Sequence, residues 1–315
     1  MNHSLTVITD QYPLPLSGHR LHLQGKEELN LYPDLFTLEC WNLSQGAFLH
    51  LSRSRMLSIL YGKSCIAFGE VSDVYRRTVP EGEVTEVAFA KGLSLWESPV
   101  SLSVPAGLSA SEIVSVLIHI HDSDVTHASD VIHNYDSELT HDLDSQLTHS
   151  YDSILTQNRS VTLSLLGWNG DDPIFTRGQA FHDRTALCLT SVLSSAGAKG
   201  TLIPVGTAPG SRFAASDASR SAFTIPGGYG LCVIPSGGLP VSVHLSARDL
   251  LDAPSFTSNN LMVISTRPIG WQVGATLALE YKDSIRVGTI IERNLDLDTM
   301  TGSWKTELLV ELRNR

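Results

Sequence analysis

The stretch Phe36-Thr37-Leu38-Glu39-Cys40-Trp41 sets the fold class. Phe36, Leu38 and Cys40 share one parity, and Thr37, Glu39 and Trp41 the other, which is the period-two pattern of a strand with one buried face. Further along, Met56 to Tyr61 is an apolar run broken by Gly62-Lys63, and a second run resumes at Cys65. Two runs around so short a Gly-containing break predict a hairpin. Pro80-Glu81-Gly82 is a further turn signal. Val87 and Phe89, then Leu93 and Leu95, read as strand positions, and Val100, Leu102 and Val104 alternate with Ser101 and Ser103. Strands at this spacing predict a small barrel or sandwich, and the domain over 1–106 is read as β-barrel-like.

Beyond Pro105-Ala106-Gly107 the period changes. Ser109 and Glu112 form a capping box, in which the hydroxyl accepts from the third helical amide and the carboxylate reaches back. Ile113, Val116, Leu117 and Ile120 then follow at helical spacing. From 121 to 157 an eight-residue unit repeats: Asp136-Ser137-Glu138-Leu139-Thr140-His141, Asp144-Ser145-Gln146-Leu147-Thr148-His149, Asp152-Ser153-Ile154-Leu155-Thr156. Leu139, Leu143, Leu147, Tyr151 and Leu155 step by four, a drifting ridge on a helix and equally one face of a strand. Such a ridge needs a partner surface, so these five are the candidate assembly residues. The region 107–158 is thus a short helix plus a His/Asp-rich insertion.

Residues 159–240 read as a small α/β segment, with a strand over 161–166, the best helical pattern of the chain over 179–196, ended by Gly197, and a strand over 202–205. Over 241–315 short strands return, including 287–291 and a closing strand in which Trp304, Thr306, Leu308, Val310 and Leu312 alternate with polar residues. This is the second β-barrel-like domain. The fold class is α+β, rich in β: two small barrel-like domains joined by an α/β segment and carrying an inserted repeat.

Composition narrows the chemistry. With 42% apolar and 17% charged residues, the 315-residue chain is a folded protein. Its net charge of −11 and lack of a Lys/Arg-rich run argue against a nucleic-acid-binding surface. The start is polar, without the apolar core of a signal peptide, and no run is long enough to span a membrane. The N-x-S matches at Asn2, Asn42 and Asn158 are therefore read as chance. Cys40, Cys65, Cys188 and Cys232 form no C-x-x-C pair and read as buried thiols.

No catalytic constellation emerges. The stretch Gly206 to Arg212 lacks the Lys and Ser/Thr of a phosphate loop. His182-Asp183 are neighbours that would not face each other on a helix, and Asp296 and Asp298 read as a solvated loop near a turn. The metal candidates are His133, His141 and His149. At eight-residue spacing they diverge on a helix and lie far apart on a strand, so only symmetry-related copies could bring them together. No cofactor is implied.

Several segments, in order, resemble hub proteins of phage tails and baseplates (late-control protein D-like). They are the opening strand Leu29-Asn30-Leu31-Tyr32-Pro33-Asp34-Leu35-Phe36-Thr37-Leu38, then Gly69-Glu70-Val71-Ser72-Asp73-Val74, then Gly92-Leu93-Ser94-Leu95-Trp96. Arg177-Gly178-Gln179-Ala180-Phe181 resembles the family's lead into a mid-chain helix, and Gly302-Ser303-Trp304-Lys305-Thr306 its last hairpin. The resemblance implies a non-enzymatic virion component, assembled in the bacterial host cytoplasm. It implies a homotrimeric ring joining the tail tube to the central spike, in contact with other baseplate proteins and passing DNA without specific binding. Two alternatives stay open: an adaptor that binds a tail protein or metal through 121–157, and a tail-associated wall hydrolase.

Overall fold

The computed structural model describes residues 5–10, 13–14, 16, 18–62, 64–122, 162–166, 168, 171–206, 226–257, 260–268, 273–282, 284–300 and 304–313. The repeat, with Leu139, Leu143, Leu147, Tyr151, Leu155, His133, His141 and His149, lies outside the described residues.

The chain opens with β1 (Leu5–Thr9), β2 (Pro13–Leu14), β3 (Leu21–Glu28) and β4 (Asp34–Trp41), then helix α1 (Gln45–Arg53). β5 (Met56–Tyr61), β6 (Ser64–Val79) and β7 (Gly82–Lys91) follow as two consecutive hairpins. Both expected turns are present: Gly62, with φ 61, lies in the first, and Gly82, with φ 131, closes the second. β4 buries Phe36, Leu38 and Cys40, as its alternation requires. Leu93 and Leu95 do not extend the sheet. They lie in the short helix α2 (Leu93–Glu97), because Gly92 turns the chain through left-handed space (φ 80) immediately before it.

β8 (Pro99–Val104) pairs with β10 (Gln179–Arg184), not with the strands that precede it. Between them lies α3 (Ala110–Asp122), opened by the expected box: Ser109 N–H donates to Glu112 Oε2 at 2.7 Å, and Glu112 N–H to Ser109 Oγ at 3.3 Å. The helix expected over 179–196 divides. Its first part is β10, where only Phe181 is buried among polar neighbours, and helix α4 (Thr185–Ser195) begins where the i, i+3, i+4 apolar set Ala186, Leu189, Val192 and Leu193 begins. Gly197, φ 64, ends it as expected. β9 (Thr162–Leu165), β11 (Ala198–Gly206) and β12 (Pro226–Pro235) make a three-stranded sheet against α3 and α4.

The remainder is strands: β13 (Val241–Ser246), β14 (Ser255–Phe256), β15 (Leu261–Thr266), β16 (Thr276–Tyr281), β17 (Ser284–Asp298) and β18 (Trp304–Leu312). The protein is β-rich α+β. The two regions expected to form separate barrel-like domains share one thirteen-stranded sheet ordered β14-β15-β18-β17-β3-β4-β7-β6-β5-β1-β2, with β16 and β13 branching from β17. Among the described residues this hydrogen-bonded path does not close on itself. It coils enough for Tyr61 of β5 to meet Trp304 of β18 edge-on at 5.3 Å, over a core that takes Leu295 and Leu297 from β17. The α/β segment is tied to this sheet through Glu70, whose Oε1 accepts from Ser94 N–H and Oγ (both 3.0 Å) and from Tyr229 Oη at 2.9 Å.

Candidate assembly surface

The sheet contains the same unit twice. β4-β7-β6-β5 and β15-β18-β17-β16 have the same strand order and the same antiparallel pairings. Tyr61 pairs with Ser64 across the first turn and Tyr281 with Ser284 across the other. Leu57 then faces Gly69 as Leu277 faces Gly288. Each glycine sits where a Cβ would strike the next strand's backbone, 2.6 Å from the Ala90 carbonyl or 2.5 Å from that of Glu311. Three residues past each glycine a bulge interrupts the pairing, between Val71 and Asp73 and between Ile290 and Glu292. Matching bulges pin the register of both units.

The units are joined inside the chain. The outer edge of β17 is occupied twice over: 284–289 pairs with β16, and 292–298 with β3. At this joint four buried ions meet. Lys91 Nζ lies 2.7 Å from Asp34 Oδ2 and 3.2 Å from Glu27 Oε1, and Arg293 pairs with Glu27 and donates to the Ile66 carbonyl at 2.6 Å. The four side chains are 1–5% exposed. Two cations against two carboxylates leave no net charge to desolvate. Burial raises the Glu27 pKa, but Arg293 and Lys91 outweigh it and hold the group below its ordinary value. Burial lowers Lys91, and Glu27 and Asp34 more than reverse that. Asp34 is pushed up to about 6 by burial, which Lys91 only partly offsets.

On the solvent face an ionic row crosses the same joint. His22 Nε2 lies 2.9 Å from Asp296 and its Nδ1 3.2 Å from Glu39, which also pairs with Arg77. Lys26 bridges Glu28 (2.6 Å) and Glu292 (3.0 Å), and Arg20 holds Asp298 at 2.6 Å. Among the described residues the outer edge of β6 is unpaired beyond its bulge, where β5 has ended, and so are the outer sides of β14, β2 and β13.

No family model matches the sequence, and no curated protein matches it. Solved structures do. A tail protein from Neisseria meningitidis MC58 matches with TM-score 0.60 at 9% identity, over 100% of this chain and 97% of that one. The 43 kDa tail protein of prophage MuSo2 from Shewanella oneidensis gives 0.56 at 9%, over 97% of each. The chain has the phage tail-protein fold. A third match is the E. coli c3393 protein, a component of the type VI secretion system described as similar to the T4 tail proteins gp27 and gp5 (TM-score 0.57, 10% identity, 99% of this chain and 78% of that one). At such identities the likeness speaks to the fold.

Within this tail-protein fold, the residues singled out from sequence are placed as follows. Asp296 and Asp298 are not a solvated loop; they end β17 and pair with His22 and Arg20. His182 and Asp183 lie on strand β10, whose alternation sends neighbours to opposite faces. His182 Nδ1 is 3.1 Å from Ser101 Oγ, while Asp183 accepts from the Arg184 amide. Cys40, Cys188 and Cys232 are buried thiols, and burial pushes the part-buried Cys65 up to about 12. No helix of the described residues is long and apolar enough to cross a membrane. The ion cluster has no counterpart in the sequence reading. Glu27, Asp34, Lys91 and Arg293 are spread along the chain, and only the register of β3, β4, β7 and β17 brings them together.

Proposed function

We propose that the chain is a structural subunit of the baseplate hub of a phage or phage-like injection particle, without enzymatic activity, forming a ring that joins the tail tube to the central spike. One observation carries this: the chain holds two matching sheet units, joined edge to edge by β3 and β17, and leaves open the edges that would repeat the joint. A heterologous contact of this kind closes into a ring when its rotation allows. Three copies would supply six units, so a threefold ring could meet a sixfold tube on one side and a threefold spike on the other. The ring sits in the virion after assembly in the host cytoplasm, with the spike and other baseplate proteins as neighbours. DNA passes the channel without specific binding, in keeping with the net charge of −11. The test is a nonsense allele in the parent phage or particle. Electron micrographs should show particles without finished tails, restored by supplying the chain in trans. Normal, infective tails in its absence contradict the proposal.

A further inference from the structure

We propose that the open edge of β6 over 75–79 receives segment 253–257 of a second copy of this chain, in the register with which β3 joins β17. The inference rests on the ring reading and specifies its joint. Three features of the sheet carry it.

First, the residues of β6 beyond its bulge correspond one to one with those of β17. Asp73 stands where Glu292 does, Val74 where Arg293 does, and Arg77, opposite Val84, where Asp296 stands opposite Lys305. β17 carries β3 on this edge, whereas β6 carries no strand among the described residues. Second, β14 corresponds to β3. Gly25 of β3 faces Phe36 of β4, and Phe256 of β14 faces Met262, the residue of β15 that occupies the place of Phe36. Third, both edges are open to solvent, with Tyr75 41% and Phe256 52% exposed. The edge of β6 has its own cap: Asp73 Oδ1 accepts from the Val74 amide at 2.8 Å. By the β17 register that amide points away from β7, and such local protection is how free edges avoid indiscriminate pairing.

Carrying the register across sets Arg76 opposite Phe256, Arg77 opposite Ser255 and Tyr75 opposite Thr257. Arg76 then stands across from the Phe256 ring, while Arg77, on the other face of the strand, keeps its pairs with Glu39 and Glu86. Pro254 falls where Leu23 stands in the intrachain joint. It donates no amide hydrogen, so the joint between copies has one hydrogen bond fewer, a change that edge strands accommodate.

In the β3/β17 joint the hydrogen bonds from the Leu29 amide to Ile291 and from the Thr299 amide to Leu21 set which pairs are bonded. By that phase, 75/257 and 77/255 are non-hydrogen-bonded pairs, with Cα atoms about 4.5 Å apart, within disulfide reach. The full chain carrying Tyr75→Cys with Thr257→Cys, and separately Arg77→Cys with Ser255→Cys, is oxidised and run on non-reducing gels. Covalent multimers are expected from each pair, and monomers from every single variant and from the unsubstituted chain. The second pair keeps the test open where the first impairs folding. A ring of normal mass without multimers from either pair overturns this joint and leaves the ring reading standing. An unsubstituted chain whose native mass in solution is that of a single copy overturns both.

Discussion

The two sheet units share strand order, register, a glycine under the neighbouring backbone and a bulge, yet they differ in what they bury at their ends. In the first unit Asp34 and Lys91 face each other; in the second the same places hold Asn260 and Leu312. In the second unit Arg293 enters the joint, and the first has Val74 there. The ion cluster therefore forms once, where β3 crosses onto β17, and its ingredients are absent from the open edges. Backbone register makes a unit that can be repeated. Buried charge marks the one joint that is internal to the chain and fixed by folding.

The largest effect is expected from breaking that mark. Glu27→Ala leaves Arg293 and Lys91 buried with one carboxylate between them, at a cost of about 3–5 kcal/mol in denaturant unfolding. A loss below about 1 kcal/mol, the range of exposed pairs, would mean that the cluster is hydrated. Next, Gly69→Ala and Gly288→Ala test whether the units are packed alike. Each added methyl meets backbone, and each variant should lose about 1–3 kcal/mol. A loss at one glycine alone would break the equivalence.

A smaller, pH-dependent effect should come from Asp34. A carboxyl whose pKa is raised to about 6 binds its proton more tightly folded than unfolded. Between the unfolded value of about 3.9 and about 6, rising pH therefore removes stability. Asp34→Asn should flatten this fall in denaturant midpoints measured across that window, and an unchanged slope would contradict the assignment. Asn260, its counterpart, carries no charge, so Asn260→Ala should leave the slope as it is. The smallest effect is expected at the solvent face, where His22→Ala should change stability by at most about 1 kcal/mol.

Much of this fold is legible in the sequence where local chemistry decides. The alternation of β4 and β18, the turns at Gly62 and Gly82, the capping box of α3 and the Gly197 stop all depend on near neighbours. Reading fails where partners are distant. β17 runs for 15 residues, but only its middle looks like a strand, because its later half alternates Leu295 and Leu297 with acids whose partners lie on β3. Over 179–184 one buried Phe among polar residues fits helix and strand equally, and pairing with β8 selects the strand. The four ions of the joint have no common spacing, so neither the cluster nor the open edges could be found before the register was known.

The central claim, that matching units in one chain imitate neighbours around a ring, is met most directly by the native mass of the purified protein taken together with class-averaged electron micrographs. The account predicts a trimer whose end views show six similar lobes around a channel. A single-copy mass, or a closed two-copy particle without a channel, would contradict it.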